Sequence, residues 1–126
     1  MLDEGGKVIS LGIDIIEVER IESAIKRWDK RFLNRIYTEA ELKICQDRIP
    51  ALAARFAGKE AVMKVLGTGA KGVGWQEIEI LADPQGKPLV QLHGKARETA
   101  KKLSLTELCI SLSDTKQYAV AAAVGT

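Results

Sequence analysis

The sequence predicts an α+β fold in which a small antiparallel sheet packs against one long central helix and several shorter helices. One reason is a long helical segment from Pro50 to Leu66 in the middle of the chain. Another is that the flanking segments rich in β-branched residues are short, and two pairs of them are joined by turn residues, which is typical of hairpins. The length of 126 residues predicts that residues 1–126 form a single domain.

The central helix has recognisable ends. Pro50 fits its first turn, where the missing N–H costs nothing, and Gly67 fits the left-handed position just past its end. Glu60 and Lys64 lie one turn apart beside a predicted apolar stripe, which consists of Leu52, Phe56, Met63 and Leu66. A Glu–Lys pair of this spacing is ordinarily a surface pair worth a few tenths of a kcal/mol, so it indicates a site only with further evidence.

That further evidence is Asp14, which interrupts an apolar segment. The segment from Val8 to Ile16 is short and rich in β-branched residues, which predicts a buried strand. A carboxylate in such a strand must be paired, hydrogen-bonded or bound to a metal, since an isolated buried charge is very costly. The alternative is that Asp14 merely caps the following helix.

The spacing of residues in the next predicted helix, from Glu17 to Trp28, indicates an apolar face and a basic face. Its core face carries Val18, Ile21, Ile25 and Trp28. Another side carries the cations Arg20, Arg27 and Arg31. This basic side is either an ordinary solvated face or a docking surface for an acidic partner.

The remaining elements follow from local signals. Thr38 and Glu41 form a capping-box pattern that begins a short helix to about Asp47. His93 begins a polar helix to about Leu103 and is predicted to be a surface residue. Four further strands form two hairpins: Gln76 to Ala82 with Pro88 to Leu92, and Leu108 to Asp114 with Tyr118 to Val124. The Ala/Val-rich last strand is predicted to be central or pressed into an interface.

Composition excludes several classes of protein. The net charge of +2 is small and no basic segment alternates with aromatics, so nucleic-acid binding is not predicted. No run of apolar residues approaches membrane-spanning length, so membrane insertion is not predicted either. Cys45 and Cys109 are far apart and His93 is the only histidine, which argues against a zinc site or a disulfide framework. We expect free, buried thiols and, with an acidic N-terminus unlike a secretory signal, a cytoplasmic location.

Asp14 and Glu60 together would make an oxygen-lined metal site. Two carboxylates with open positions suit Mg²⁺, which retains waters and takes phosphate oxygens as its other ligands. Lys64 would reach the same phosphates, and Arg55, Lys59 and Lys87 would add positive charge. Such a set has the parts for phosphoryl chemistry.

Several segments resemble the holo-[acyl-carrier-protein] synthases, the short bacterial branch of the 4′-phosphopantetheinyl transferases. The resemblance covers nearly the whole chain, and its specificity lies in the combination rather than in any single motif. The matching segments are Gly12-Ile13-Asp14-Ile15, residues 17–21, the run from Arg55 to Lys64, Gly67-Thr68-Gly69, residues 75–80, Gly86-Lys87-Pro88, and Ser111-Leu112-Ser113 before Tyr118.

The resemblance implies transfer of 4′-phosphopantetheine from coenzyme A to a serine of apo-acyl carrier protein, as in fatty acid biosynthesis. Asp14 and Glu60 would hold Mg²⁺, Glu60 would help to deprotonate the serine, and Lys64 would stabilise the phosphate oxygens. It further implies a homotrimer with sites at subunit contacts, and a carrier-protein surface at Arg20, Arg27 and Arg31. The implied coenzyme A contacts are Arg55, Lys59, Lys64, Gly67, Lys87, Pro88 and Ser113.

One position departs from the family pattern. The family usually has a histidine after the Ser-x-Ser of the penultimate strand, where it contacts nucleotide phosphates, whereas this chain has Asp114. An aspartate repels phosphate unless it is protonated or bound to the metal, and Lys116 is a candidate replacement. Two alternatives therefore stand beside the transferase: a catalytically weakened module that binds coenzyme A or carrier protein, and a basic-face interaction protein without a small-molecule site.

Overall fold

A computed structural model describes residues 5–6 and 9–126 and has the predicted α+β architecture. Val8, the predicted start of the first strand, lies outside the described residues. The strands are β1 (Ser10–Glu17), β2 (Ile78–Ala82), β3 (Pro88–Leu92), β4 (Leu108–Asp114) and β5 (Tyr118–Gly125). The helices are α1 (Val18–Trp28), α2 (Lys30–Ile36), α3 (Glu39–Cys45), α4 (Ile49–Leu66), α5 (Gly69–Gly72) and α6 (Gly94–Lys102).

The strands form two antiparallel sheets. The larger has the order β1-β5-β4, so the Ala/Val-rich β5 is the central strand, as predicted. Asp14 is opposite Ala121 and Asp114 is opposite Ala119 in this sheet. The second sheet is the β2–β3 hairpin.

Helix α4 packs against both sheets. Pro50 is in its first turn, and Gly67 ends it with φ +72°. The N–H of Gly67 donates to Lys64 O and that of Thr68 donates to Met63 O, a Schellman cap. The prediction of a single apolar stripe was wrong, because the sheets and the other helices cover most of the circumference of α4, including Ala53 and Val62.

The local signals located the short elements with a few exceptions. The capping box of α3 is present, with Thr38 and Glu41 exchanging hydrogen bonds. Helix α2 had no sequence prediction, and a single residue, Asp29, separates it from α1. The strand predicted from Gln76 begins only at Ile78, because residues 75–77 form a 3-10 turn.

The first strand is buried on one face only, which corrects the prediction of a buried strand. Ile15 is 63% exposed, and Leu11 and Ile13 are similarly exposed. These side chains point away from α4, which covers just one side of the sheet. Cys45 is buried as predicted, but Cys109 is exposed, because its neighbour Ile110 takes the inward position on β4.

Gly12 permits the closest approach between β1 and α4. A Cβ built there would lie 1.9 Å from the backbone oxygen of Ala61, which cannot move without displacing the helix. We expect Gly12→Ala to lower the free energy of unfolding by about 1–3 kcal/mol and to reduce activity, since Asp14 is two residues along the same strand. Urea unfolding checks this prediction, and an unchanged unfolding midpoint would contradict it.

Candidate active site

Strand β1 and helix α4 bring Asp14 and Lys64 together. Lys64 Nζ donates to the carbonyl oxygen of Ile13 at 2.7 Å and to Asp14 Oδ1 at 3.3 Å. The Lys64 side chain is 55% exposed, whereas that of Asp14 is 16% exposed. The ammonium group is therefore held above the carboxylate and still faces solvent. The alternative that Asp14 caps the next helix is wrong, because Asp14 lies inside β1 and Glu17 occupies the cap position.

Glu60 meets Asp14 at the same place. Burial raises the pKa of Glu60, and the charge of Asp14 and a side-chain hydrogen bond with it raise that pKa further. The positive charges of Arg20 and Lys64 partly oppose this rise. Two carboxylates this close to each other need a shared proton or a cation. The site thus combines two carboxylates, an exposed ammonium and a nearby guanidinium.

This donor set fits Mg²⁺. The residues that hold it would be Asp14 and Glu60, whose mutual repulsion a divalent cation would relieve. Within residues 5–6 and 9–126, no group of three His, Cys, Asp or Glu side chains lies together. A pair of carboxylates that leaves positions open to water and phosphate is the usual protein contribution to a Mg²⁺ site.

Lys59 and Arg55, two predicted coenzyme A contacts, face the protein interior instead. Lys59 is fully buried, and its Nζ donates to Glu41 Oε1 at 2.8 Å and to the carbonyl oxygens of Trp75 and Ile78. Burial lowers the pKa of Lys59, while Glu41 opposes this shift. Arg55 is also buried, and its Nε donates to Ile80 O at 3.0 Å. The placement of both side chains argues for structural roles.

Glu41 is a residue whose importance the sequence did not reveal. It is fully buried, and its Oε2 accepts a hydrogen bond from the backbone N–H of Ile80 at 2.9 Å. Its Oε1 accepts from Thr38 N as well as from Lys59. The capping-box pattern identified Glu41 as a local helix cap, but no spacing rule pairs it with a lysine 18 positions later. Glu41 and Lys59 together join α3, α4 and β2.

The other predicted coenzyme A contacts lie in three places. Gly67 is at the end of α4, one turn past Lys64. Lys87 and Pro88 are at the tip of the β2–β3 hairpin, which packs on the Lys59 side of α4 rather than beside Asp14. Ser113 is exposed near the end of β4. The described part of the chain thus distributes these residues over separate surfaces.

Asp114 and Lys116 are both exposed at the β4–β5 turn. Lys116 lines a surface cavity of about 400 Å³ with Gln117, Tyr118 and the acidic residues Glu17, Glu19 and Glu22 at the β1–α1 junction. The structure records no ion pair between Asp114 and Lys116 within the described ranges. Both side chains are accordingly accessible to a ligand.

The basic side of α1 is exposed as predicted. Arg20 and Arg27 lie on α1, and Arg31 lies on α2. The guanidinium carbon of Arg27 is 5.0 Å from the ring centroid of Trp28, and that of Arg31 is 5.9 Å from it. The interaction between Trp28 and the arginines was not predicted, because the helical period assigned Trp28 to the core face. His93, predicted to be a surface residue, is half exposed and contacts Glu79.

Comparisons with known proteins identify the family of this chain. Residues 10–123 match the family model of the 4′-phosphopantetheinyl transferase superfamily. The chain therefore belongs to this superfamily.

The relatives within it are more specific. A holo-[acyl-carrier-protein] synthase of Dehalococcoides mccartyi strain CBDB1 is 53% identical over 90% of this chain and 94% of its own length. A holo-[acyl-carrier-protein] synthase of Herpetosiphon aurantiacus is 46% identical over 90% of this chain and 95% of its own length. The solved structure of the Helicobacter pylori holo-[acyl-carrier-protein] synthase in complex with coenzyme A has a TM-score of 0.85 and 32% identity, covering 92% of this chain and 99% of that one.

Proposed function

We propose that this chain is a holo-[acyl-carrier-protein] synthase that transfers 4′-phosphopantetheine from coenzyme A to a serine of apo-acyl carrier protein. The observation that carries the proposal is the cluster of Asp14, Glu60 and Lys64, which β1 and α4 build from residues far apart in sequence. The resemblance in sequence and fold to holo-[acyl-carrier-protein] synthases supports the same activity.

The chemistry is a phosphoryl transfer. The serine hydroxyl oxygen bonds to the phosphorus attached to pantetheine, the bond from that phosphorus to the bridging oxygen breaks, and adenosine 3′,5′-bisphosphate leaves. Glu60, whose pKa burial and Asp14 raise, accepts the serine proton directly or through a water. Lys64 presents an exposed ammonium that balances the charge of the phosphate oxygens.

Mg²⁺ dependence is part of this proposal. When bound at Asp14 and Glu60, the ion supplies charge neutralisation for the pyrophosphate. Lys64 donates to both the carbonyl oxygen of Ile13 and Asp14 Oδ1, and so restrains the Asp14 carboxylate from one side.

The proposal is tested by the intact mass of an apo-acyl carrier protein after incubation with this chain, coenzyme A and Mg²⁺, beside a chelator control. A gain of one phosphopantetheinyl group that requires the metal is expected. A carrier protein that stays unmodified while coenzyme A binding is detected would favour the weakened binding module, and Asp114→His would then be the next variant. The relatives and the intact cluster favour the enzyme.

We further propose that the basic face formed by Arg20, Arg27 and Arg31 docks the acidic carrier protein. We expect Arg27→Glu to raise the KM for carrier protein about tenfold without changing the KM for coenzyme A. Arg27 is a better choice than Arg20, because the charge of Arg20 also acts on Glu60. Steady-state kinetics check this, with Arg97→Glu on α6 as the matched control. Equal effects on both KM values would contradict the docking face.

The exposed apolar face of β1 supports a homotrimer in which subunit contacts complete the sites. Leu11, Ile13 and Ile15 are all more than half exposed on one side of the sheet, and large apolar patches of this kind mark interfaces. A neighbouring subunit would cover this patch and would bring its own hairpin with Lys87 and Pro88 towards Asp14 and Glu60. This arrangement explains why a single chain separates the predicted coenzyme A contacts.

We expect Ile15→Asp to dissociate the trimer, because it places a charge in the centre of the proposed contact. Analytical ultracentrifugation measures the mass in solution, and activity should fall with the assembly. Leu103→Asp is the control, since Leu103 is a comparably large apolar residue, 49% exposed, that lies after α6. A trimeric Ile15→Asp variant would show that this face is not the contact.

We also propose a cytoplasmic location and a single transferase domain over residues 1–126. The free thiols of Cys45 and Cys109 suit a reducing compartment, and the family match extends over residues 10–123. Among the described helices, none is long and apolar enough to cross a bilayer.

A further inference from the structure

Strand β1 has an open edge. The larger sheet has the order β1-β5-β4, so β5 pairs with one edge of β1, and among the described residues no strand pairs with the other edge. Alternate residues of an edge strand turn both their N–H and their C=O groups away from the neighbouring strand. Such an edge can take up an extended chain that contains amides, in the manner of an additional strand.

Two hydrogen bonds show which residues of β1 face the open edge. The carbonyl oxygen of Ile13 accepts from Lys64 Nζ at 2.7 Å and therefore points away from β5. The N–H of Val18 donates to Gln117 O at 2.9 Å, which continues the antiparallel ladder between β1 and β5. Because the direction alternates along a strand, the even-numbered residues face β5 and the odd-numbered ones, including Ile15, face the open edge.

Ile15 is the accessible part of this edge beside the candidate active site. Its N–H and C=O have no partner among the described residues, and the residue is 63% exposed. In the other direction the stem of Lys64 covers the strand, since its Cβ is 3.1 Å from a Cβ built on Gly12. The open stretch therefore runs from Asp14 towards α1.

We propose that the backbone of Ile15 holds the pantetheine arm of coenzyme A in an extended conformation, as it would hold an added strand. This inference rests on the proposed transferase function and names the contact that receives the arm. The β-alanine unit of the arm carries an N–H at one end and a C=O at the other. Ile15 C=O accepts from the N–H between pantoic acid and β-alanine, and Ile15 N–H donates to the β-alanyl carbonyl oxygen.

The spacing along the strand suits this assignment. Successive edge-facing residues of an antiparallel strand are about 7 Å apart, so Ile15 lies one such step beyond the Ile13 carbonyl that Lys64 contacts. With the phosphate at Lys64, the atoms between the phosphorus and the first amide of the arm can span that step. The arm then lies on the α1 side of the site, next to the carrier protein with which it leaves.

The arm and the proposed subunit contact use different groups of β1. The subunit contact uses the exposed side chains of Leu11, Ile13 and Ile15, which stand out of the plane of the sheet. The arm uses backbone groups that point along that plane, in the direction of the ladder hydrogen bonds. Contact with the backbone also selects for amides in the ligand, because an edge offers one donor and one acceptor in a fixed arrangement.

Amide hydrogen exchange of the unsubstituted chain, resolved by NMR, tests the contact directly. In the presence of Mg²⁺, coenzyme A should slow the exchange of the Ile15 N–H, whereas adenosine 3′,5′-bisphosphate, which has no arm, should not. The N–H of Leu11, which faces the same edge, is the matched control and should respond equally to both ligands. An Ile15 N–H that is protected without any ligand would overturn the inference by assigning the edge to a second copy of the chain.

Analogues of coenzyme A test the same contact from the side of the ligand. An ester in place of the amide between pantoic acid and β-alanine removes the N–H that Ile15 C=O accepts, and should raise the KM about fivefold, the effect of losing one hydrogen bond. An ester in place of the cysteamine amide keeps the β-alanyl carbonyl and should change the KM by less than about twofold. Equal KM values for the two analogues would overturn the inference.

Failure of this inference is distinguishable from failure of the proposed function. Transfer to the carrier protein with an Ile15 N–H that coenzyme A leaves unprotected would overturn the inference alone. Protection of that N–H by coenzyme A, without transfer in the complete assay, would contradict the transferase and support the arm site. A chain that neither binds coenzyme A nor transfers the group would overturn both.

Discussion

Asp14→Asn is expected to impair Mg²⁺-dependent transfer severely while the protein stays folded. The amide has the same shape as the carboxylate and still accepts a hydrogen bond from Lys64, whose Nζ lies 3.3 Å from Asp14 Oδ1. It removes one of the two negative charges that attract the cation. Loss of an electrostatic contact of this kind typically lowers turnover about 10²- to 10³-fold. Single-turnover measurements by intact mass across a range of Mg²⁺ concentrations give the effect.

The same substitution has a second consequence that a general loss of structure would not produce. Asp14 raises the pKa of Glu60, so its neutralisation should make Glu60 easier to ionise and shift the acidic limb of the pH–rate profile to lower pH. Glu98→Gln on α6 is the matched control, because it also replaces a carboxylate by an amide. Full activity of Asp14→Asn at low Mg²⁺ would refute the assignment of Asp14 to the metal.

The sequence predicted the parts of this site better than their arrangement. Asp14 was informative because a carboxylate in a β-branched segment demands a partner, and the ends of α4 were clear from Pro50 and Gly67. The meeting of Asp14 with Glu60 depends on the packing of β1 against α4 at Gly12, and no local pattern encodes that contact. The expectation that Asp14 and Glu60 share one site came from the family resemblance, not from their spacing in the sequence.

The predictions that need correction share one physical cause. Sequence periodicity shows on which face of a helix or strand the apolar side chains recur. It does not show how many of its faces are covered by the rest of the protein. Because α4 is enclosed by both sheets, Arg55 and Lys59 are buried although they are charged. Because β1 is covered on one side only, Ile13 and Ile15 are exposed although they are apolar. Both outcomes depend on tertiary packing.

Lys59→Met should have the largest effect on stability among single substitutions in α4. It leaves the fully buried carboxylate of Glu41 without its cation and removes donors to the carbonyl oxygens of Trp75 and Ile78. Removing one partner of a buried ion pair costs about 3–5 kcal/mol. Urea unfolding at fixed protein concentration measures the loss, since the proposed oligomer would make apparent stability depend on concentration. Lys64→Met is the matched control.

These two lysines should give opposite results. Lys64 is more than half exposed, and its ion pair with Asp14 should contribute less than about 1 kcal/mol to stability. Its loss should instead impair turnover. Lys59→Met should therefore unfold at a lower urea concentration but retain activity when folded. Lys64→Met should unfold at the same urea concentration as the unsubstituted protein and be inactive. A Lys59→Met variant that is stable yet fails to bind coenzyme A would restore the original assignment of Lys59 to the substrate.

A double substitution tests the cause of the instability. Glu41→Gln removes the charge that Lys59→Met leaves unpaired and keeps an acceptor for the N–H of Ile80, which lies 2.9 Å from Glu41 Oε2. The double variant should therefore be more stable than Lys59→Met alone, with a coupling energy of about 1–3 kcal/mol between the two positions. Additive losses would mean that the side chains contribute independently. Positive coupling would show that this buried pair, rather than either residue alone, fixes α3 and β2 against the helix that carries Glu60.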